Sequence, residues 1–422
     1  MNIKTLRVAS VFSGIGAFEQ ALKLMKLPHD IKFACDNGER TLKLPFRKIH
    51  KLCNGLSDAQ KPRFARYLIE GNKLEKQPDL HYNILASLLG GKITYLKSLE
   101  LPKECIDMLT VGMNNNTREG YVNKLYQETG RHNFVKDSYL ANYNLNPQDW
   151  HEDIRFLDGT EYANQVDILV GGSPCQSFST YGKKLGLEDT RGTLFYDYAR
   201  IIKEIQPKVF IYENVKNLQT RDDGKTWDVM RQVWESLDYV LSEAILNAKD
   251  YGTPQNRTRL FLVGFRKDVI GDSKYVFPEK QGYKKSALEM LEKEGTVDES
   301  YYLGKKGFEW VTNPKKNKNK TRVAKEVVGC QTANQQDNWI GDLVVEKVQP
   351  RFENHPRVYV GEYGGKRCVA RKMIPDECLR LMGFGEFKHV VSDKELYRQS
   401  GNSIVVSVMQ ALLESIMPFI KE

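Results

Sequence analysis

Along the first forty residues, apolar side chains cluster in "LRVASV" and again in "IKFAC". Between them lies "AFEQALKLM", whose apolar positions recur at helical spacing. The pattern predicts strand, helix, strand, with the first strand ending at glycines. The same alternation resumes far downstream: "VDILVGGS" predicts a strand, "TLFYDYARIIKEI" a helix, "VFIYENV" a strand and "WDVMRQVWESL" a helix, before the strands "YVLSEAILNA" and "TRLFLVGF". Such alternation builds an α/β fold, a doubly wound and mostly parallel sheet that places ligands at its carboxyl edge.

Two segments break the rhythm. Residues 39–132 contain "DAQKPRFARYLIEG", "HYNILASLLGG" and "REGYVNKLYQETG", apolar at helical intervals between glycines and the turn "GMNNNTREG", and predict a helical insertion. Residues 267–368 are richer in glycine, proline, lysine and short β-branched runs, among them "NPKKNKNKTR" and "RVYVGEYGGKRCV", and predict a small, loop-rich, strand-containing domain. The sheet domain is therefore expected in three pieces, 1–38, 133–266 and 369–422, the last ending in the apolar helix of "GNSIVVSVMQALLESIMPFI".

Composition refines this picture. Of 422 residues, 41% are hydrophobic, enough to bury a substantial core. No segment approaches the roughly 18 consecutive apolar residues of a membrane span, and the start lacks a cleavable leader pattern, so the expected setting is cytoplasmic with no membrane partner. The seven cysteines are scattered without a C-x-x-C pair, which suits a reducing compartment and gives no zinc site. A formal charge of +9 favours a polyanionic partner if it is concentrated. Residues 40–132 hold 16 Lys and Arg against 9 Asp and Glu, most of the surplus.

Candidate chemistry falls at the predicted strand ends. Phe12, Ser13, Gly14 and Gly16 form a turn that a ligand can approach closely, and Asp36 follows the second strand, where a carboxylate suits ribose hydroxyls. A dinucleotide-binding turn wants a small residue at position 19; Glu19 there argues against phosphate and favours S-adenosylmethionine, an adenosine cofactor without phosphates. A tight turn without a ligand is the plainer alternative. In "GGSPCQSFS", Pro174 and Cys175 follow the strand "VDILV" on a loop at its carboxyl end. A thiol there suits conjugate addition to an electron-poor ring, and a buried core cysteine is the competing reading.

Taken in order, "VFSGIGAF", "EDI" (152–154), "GGSPCQSFS", "RGTLF" (191–195), "ENV" (213–215), "QNRTR" (255–259), "RKMIPDECLRLMGF" and "GNSIVV" resemble the motifs of the DNA (cytosine-5)-methyltransferases of bacterial restriction–modification systems. The resemblance implies a Rossmann-like class I methyltransferase fold with residues 267–368 as target-recognition domain, S-adenosylmethionine as cofactor, and a cytosine flipped out of double-stranded DNA as substrate. It implies that Cys175 adds to C6 of the base, that Glu213 hydrogen-bonds N3, that Arg259 holds the O2 side and that Arg257 holds a phosphate or the loop. Cofactor contacts carried over are Phe12 on the adenine, Asp36, Asp153 accepting from the adenine amine, Ile154 packed on the ring, Pro174, Asn402 and Ser403. A helix cap is the simpler reading of Asp153, a surface ion-pair cluster that of "QNRTR", and a strand end that of "ENV".

Two departures stand out. Ala17 and Asn37 replace a glycine and a large apolar residue common in the family, and the insertion separates the second strand from "FVKDSYLANYN", which usually follows it closely. Because the insertion leaves the sheet at its carboxyl edge, its basic helices could reach DNA phosphates; a solvated decoration is the alternative. The polar residues Gln331, Thr332, Asn334, Gln335, Gln336 and Arg351 suit base-edge readout. A monomer is expected, with a separately encoded restriction endonuclease as a possible partner. Competing readings are a tRNA cytosine methyltransferase, against which the long variable region counts, and a catalytically silent DNA-binding regulator, against which the joint presence of Cys175, Glu213 and Arg259 counts.

Overall fold

The computed structural model describes residues 5–89, 97–174, 194–318 and 320–420. Seven strands form the central sheet: β1 (Leu6–Val11), β2 (His29–Cys35), β3 (Trp150–His151), β4 (Ile168–Gly171), β5 (Val209–Val215), β6 (Tyr239–Asn247) and β7 (Thr258–Arg266). Their order is β3-β2-β1-β4-β5-β7-β6. The first five are mutually parallel, while β7 runs antiparallel to both of its neighbours. The chain reverses direction across the sheet between β1 and β4, the place where an open α/β sheet leaves a crevice at its carboxyl edge.

Period-two alternation explains both faces. Val209 and Ile211 point into one core with the helices Ala17–Leu24 and Val406–Ile420, whereas Phe210 and Tyr212 point into a second core with the helices Leu194–Ile205 and Lys225–Glu235. Every strand of the parallel region is thus covered on two sides, and its sequence reads as an unbroken apolar block rather than an alternating one. The helix Val406–Ile420 buries nine side chains against the first core, including Val406, Met409, Leu412, Leu413 and Ile416. Its apolar character belongs to the interior, at about 1.5–3 kcal/mol for each large side chain removed from water.

The insertion has a core of its own. A two-stranded ribbon, Lys43–Pro45 with Ser98–Glu100, and the helices Phe46–Asn54, Lys61–Gly71, Pro78–Leu88, Lys103–Leu109 and Asn115–Glu128 enclose Leu44, Phe46, Phe64, Leu68, Ile106 and Tyr126. Phe156, from beyond the insertion, joins that cluster and welds it to the sheet domain.

A four-stranded sheet follows β7: β8 (Thr321–Val323), β9 (Gly341–Lys347), β10 (Gly361–Tyr363) and β11 (Lys366–Arg371), in the order β8-β9-β11-β10. It is tied to the rest by Arg371, whose side chain is fully buried. Its guanidinium holds Glu346 of β9 at 2.5 Å and takes Glu377 of the helix Pro375–Arg380 in two contacts of 2.8 and 2.9 Å. Tyr302 and backbone amides of Glu292, Gly295 and Ile374 complete both carboxylates, so the two buried acids share one guanidinium and are hydrogen-bonded throughout.

Candidate active site

Strands β1, β2, β3, β4 and β5 deliver most of the predicted site residues to one sheet edge. After β1, Phe12, Gly14 and Gly16 all take positive φ, 53°, 53° and 76°. For Phe12 this is an uncommon, costly conformation of the kind that clusters at functional sites. Its ring is half-buried and rests on the second core. The Ser13 hydroxyl sits between the strand ends, 3.0 Å from the Ser10 carbonyl and 3.2 Å from that of Cys35, and accepts from the Cys35 amide at 3.1 Å. It latches β1 to β2.

Asp36 closes the turn from the other side. One carboxylate oxygen accepts from the Gly14 amide at 2.9 Å and the other from the Gly38 amide at 2.7 Å. Burial pushes the Asp36 carboxyl up, opposed by those two amides. One lone pair on each oxygen remains for a hydroxyl partner. Glu19 does not face this turn: it is buried, and it accepts from the Ser10 hydroxyl at 2.6 Å beneath the helix Ala17–Leu24. The expectation that an acid at position 19 stands where a phosphate would meet the helix start is therefore corrected: Glu19 is turned inward to Ser10.

Asp153, beyond β3, is buried and crowded. Its Oδ1 accepts from the Arg155 amide and Nε at 3.1 and 3.0 Å, and its Oδ2 from Arg155 Nη2 at 2.6 Å and from the Tyr126 hydroxyl at 2.8 Å. Burial alone would raise the Asp153 carboxyl, but the Arg155 charge and these hydrogen bonds hold it below the usual range. Ile154 beside it is buried in the second core.

At the centre, β4 leads into Gly171–Pro174, and Pro174 is exposed. Cys175 and the start of "RGTLF" at 191–193 lie outside the described residues. The approach to them is nonetheless fixed. A Cβ on Gly172 would lie 2.5 Å from the Glu213 carbonyl oxygen, so only glycine lets the loop run this close to β5. The Asn214 amide donates to the Ser173 carbonyl at 2.9 Å and to the Tyr212 hydroxyl at 2.8 Å, and Tyr212 also meets the Ser173 hydroxyl at 2.9 Å. Gly172 and Ser173, which precede the predicted thiol in the chain, are thereby pinned to the strand that carries Glu213.

Glu213 is held 3.1 Å from Arg259 Nε, bridging β5 to β7. Burial pushes its carboxyl up, with the Arg259 and Arg257 charges opposing the shift. Arg259 also donates to the Thr258 carbonyl, and its Nη2 lies 3.9 Å from the Cys330 sulfur. Arg257 is a tie rather than an open ligand-facing group. It is buried and donates to the carbonyls of Gln331 at 2.7 Å, Ser403 at 2.7 Å and Gly401 at 3.2 Å, joining the residues just before β7 to the segments around Gln331 and Ser403. Asn402 donates to Glu39 at 2.5 Å, and Ser403 is buried.

Sequence reasoning passed over Tyr212, Asn214, Arg155 and Tyr126. "ENV" contains Asn214, and a signal was available in a polar residue inside an apolar strand. Tyr126 carries no local signal, because its partner lies 27 positions away in the chain.

An open sheet with this order, one antiparallel strand near its edge and a carboxyl-edge site of paired acids defines a class I methyltransferase fold. Solved structures agree on that fold: the Dnmt2 methyltransferase of S. pombe superposes with a TM-score of 0.53 at 17% identity, covering 98% of both chains, and that of Spodoptera frugiperda with 0.53 at 16%, covering 98% of this chain and all of its own. Residues 91–418 match the family model described as C-5 cytosine-specific DNA methylase. The Type II methyltransferase M1.ScrFI of Lactococcus lactis subsp. cremoris is 36% identical over 291 residues, 68% of this chain and 71% of its own. The Type II methyltransferase M.HpaII of Haemophilus parainfluenzae is 37% identical over 60% of this chain and 72% of its own. The chain belongs to the C-5 cytosine-specific DNA methylase family and is a DNA (cytosine-5)-methyltransferase.

Proposed function

We propose that this enzyme methylates C5 of a cytosine rotated out of double-stranded DNA, with S-adenosylmethionine as donor and Cys175 as transient nucleophile at C6. The observation that carries this reading is the pairing of Glu213 with Arg259 at 3.1 Å across β5 and β7, at the point where Ser173 is tied to β5. A buried carboxyl whose pKa is pushed up keeps its proton more readily than a surface one. It suits donation to N3 as negative charge builds on the ring, while the neighbouring guanidinium suits the O2 side. Attack by the Cys175 sulfur on C6 forms the S–C6 bond and moves the C5–C6 electron pair to C5. That pair would take the methyl group a bound cofactor supplies, the donor sulfur keeping the electrons of the broken S–CH3 bond, and loss of the C5 proton then expels the thiolate and restores the C5–C6 double bond.

The chemistry of the turn suits an adenosine cofactor. Asp36 offers lone pairs to ribose hydroxyls, Phe12 offers a ring face, and the acids Asp36 and Asp153 disfavour phosphate. When bound, the cofactor supplies an electrophilic sulfonium methyl. Asn402 and Ser403, tied back through Glu39 and Arg257, border the same edge. DNA is the substrate; Gln331, Gln335 and Gln336, expected to read base edges, are instead buried in the fold, which leaves the exposed Thr332 and Asn334 of that polar segment as the candidates for base contacts, and the enzyme acts as a monomer in the cytoplasm, alongside a cognate endonuclease where one is encoded.

Trapping tests the reading. A duplex with 5-fluorocytosine at the target position cannot lose its C5 substituent as a proton. Incubation with cofactor is expected to leave a covalent complex mapping to Cys175, and Cys175→Ser is expected to abolish both trapping and turnover while cofactor binding persists. Trapping at another residue, or turnover by Cys175→Ser, overturns the assignment.

A further inference from the structure

The last helix of the insertion, Asn115–Glu128, docks on the segment after β3. His151 meets Glu119 at 2.6 Å, the Arg118 guanidinium lies 5.1 Å from the Phe156 ring centroid, and the Tyr126 hydroxyl reaches Asp153 at 2.8 Å. Arg40, at the other end of the insertion, stacks 4.7 Å over the Tyr126 ring and pairs with Glu152. Burial and the Asp153 charge push the Tyr126 phenol up, so it remains the donor in this contact.

An ionised carboxylate has about four lone-pair positions. At Asp153 four donor groups fill them: the Arg155 amide, Arg155 Nε, Arg155 Nη2 and the Tyr126 hydroxyl. An adenine amine would be a fifth donor and must displace one of these. The amide is fixed by the backbone, and the guanidinium contacts are charge-assisted and correspondingly strong. The phenol is the one neutral side-chain donor of the set and the most easily displaced. Next to Arg155, a cavity of about 180 Å³ lies between Gly71, Pro102 and Lys103 of the insertion and Leu194 and Asp197 of the sheet domain, so the interface has room to rearrange there.

Resting on the assignment of Asp153 to the cofactor's amine, we propose that Tyr126 is a positioning residue through which the insertion controls cofactor affinity: its hydroxyl occupies the Asp153 lone pair that the amine takes on binding. Cofactor binding then exchanges phenol for amine and releases one tie of the insertion helix. The coupling is reciprocal, so whatever draws this helix away from Asp153 tightens cofactor binding. The insertion thus acts on the cofactor end of the site, whether or not its basic surface touches DNA.

Equilibrium binding of S-adenosylhomocysteine, and of its analogue with a carbonyl oxygen in place of the 6-amino group, to the full-length wild type, Tyr126→Phe and Asp153→Asn tests this. Phenylalanine keeps the ring under Arg40 and the packing. Tyr126→Phe is expected to bind the adenosyl ligand about ten- to a hundredfold tighter, the range of one hydrogen bond to a charged group, with the deaminated ligand unchanged. A merely structural tyrosine would weaken both ligands equally. Equal or weaker binding of the adenosyl ligand, or the same gain for both ligands, overturns the proposal. If Asp153→Asn erases the preference for the amine while Tyr126→Phe gains nothing, the role of Tyr126 falls alone. If Asp153→Asn leaves that preference intact, the assignment of Asp153 falls and takes the proposal with it.

Discussion

Asn214 offers the sharpest test of how the thiol loop is held. Its side chain is 5% exposed and uses three of its four hydrogen-bonding positions in this corner: two donations, to the Ser173 carbonyl at 2.9 Å and the Tyr212 hydroxyl at 2.8 Å, and one acceptance from the Val215 amide at 2.9 Å. Asn214→Ala removes three neutral hydrogen bonds and leaves the Ser173 carbonyl in a dry site. At about 1 kcal/mol net for each bond, the loss in stability is about 2–4 kcal/mol. The catalytic effect is expected to be larger than folding alone explains, because Ser173 stands two residues before Cys175 and Asn214 directly follows Glu213. A displacement of about 1 Å between nucleophile and acid costs about a hundredfold in rate. Single-turnover methylation and the rate of 5-fluorocytosine trapping, measured where the variant is fully folded, are expected to fall tenfold to a hundredfold with little change in KM for DNA. Asn214→Asp is expected to do no better, since it presents no donor to the Ser173 carbonyl and adds a charge beside Glu213. A folded Asn214→Ala enzyme that traps within twofold of wild type would refute the idea that this amide sets the geometry.

Other expectations follow from the same contacts. Because burial raises the Glu213 pKa, its proton is held below the raised value and lost as pH climbs through it. Methylation is therefore expected to decline on the alkaline side of a pH profile, and Glu213→Gln to remove that decline while lowering turnover at every pH. Arg259→Ala deletes the nearest charge opposing the shift, so the decline is expected to move to higher pH in the weakened enzyme; a move to lower pH would contradict the electrostatics. Arg371→Met leaves two buried carboxylates without their counter-ion and is expected to cost about 3–5 kcal/mol in urea unfolding, and a loss below 1 kcal/mol would mean that the network relaxes or takes up water.

Much of the fold is legible in the chain because its signals are local. Blocks such as "VFIYENV" read as strands since both faces of β5 are buried, and the alternation of blocks with helical periods implies a parallel sheet whatever the side chains do elsewhere. The glycine turn, the thiol loop and the arginine pair are also local, because a strand end and its following loop are contiguous in sequence. Their order alone led to the family to which the comparisons assign the chain.

What the sequence could not decide is direction and partnership. Glu19 stands at a helix start in the chain, but helical phase and the packing of the Ala17–Leu24 helix turn it toward Ser10 and away from the turn. Arg257 and Arg259 are two residues apart and look equivalent, yet Arg257 lies before β7 begins and reaches into the junction of Gln331, Gly401 and Ser403, whereas Arg259, on the strand, meets Glu213. Tyr126 and Asp153 meet only because the insertion folds around its own core and returns its last helix to the sheet edge. Hydrophobic period and turn chemistry are properties of a few neighbouring residues and so are written in the sequence. Which polar group faces which depends on the packing of segments tens to hundreds of residues apart, and only the folded chain decides it.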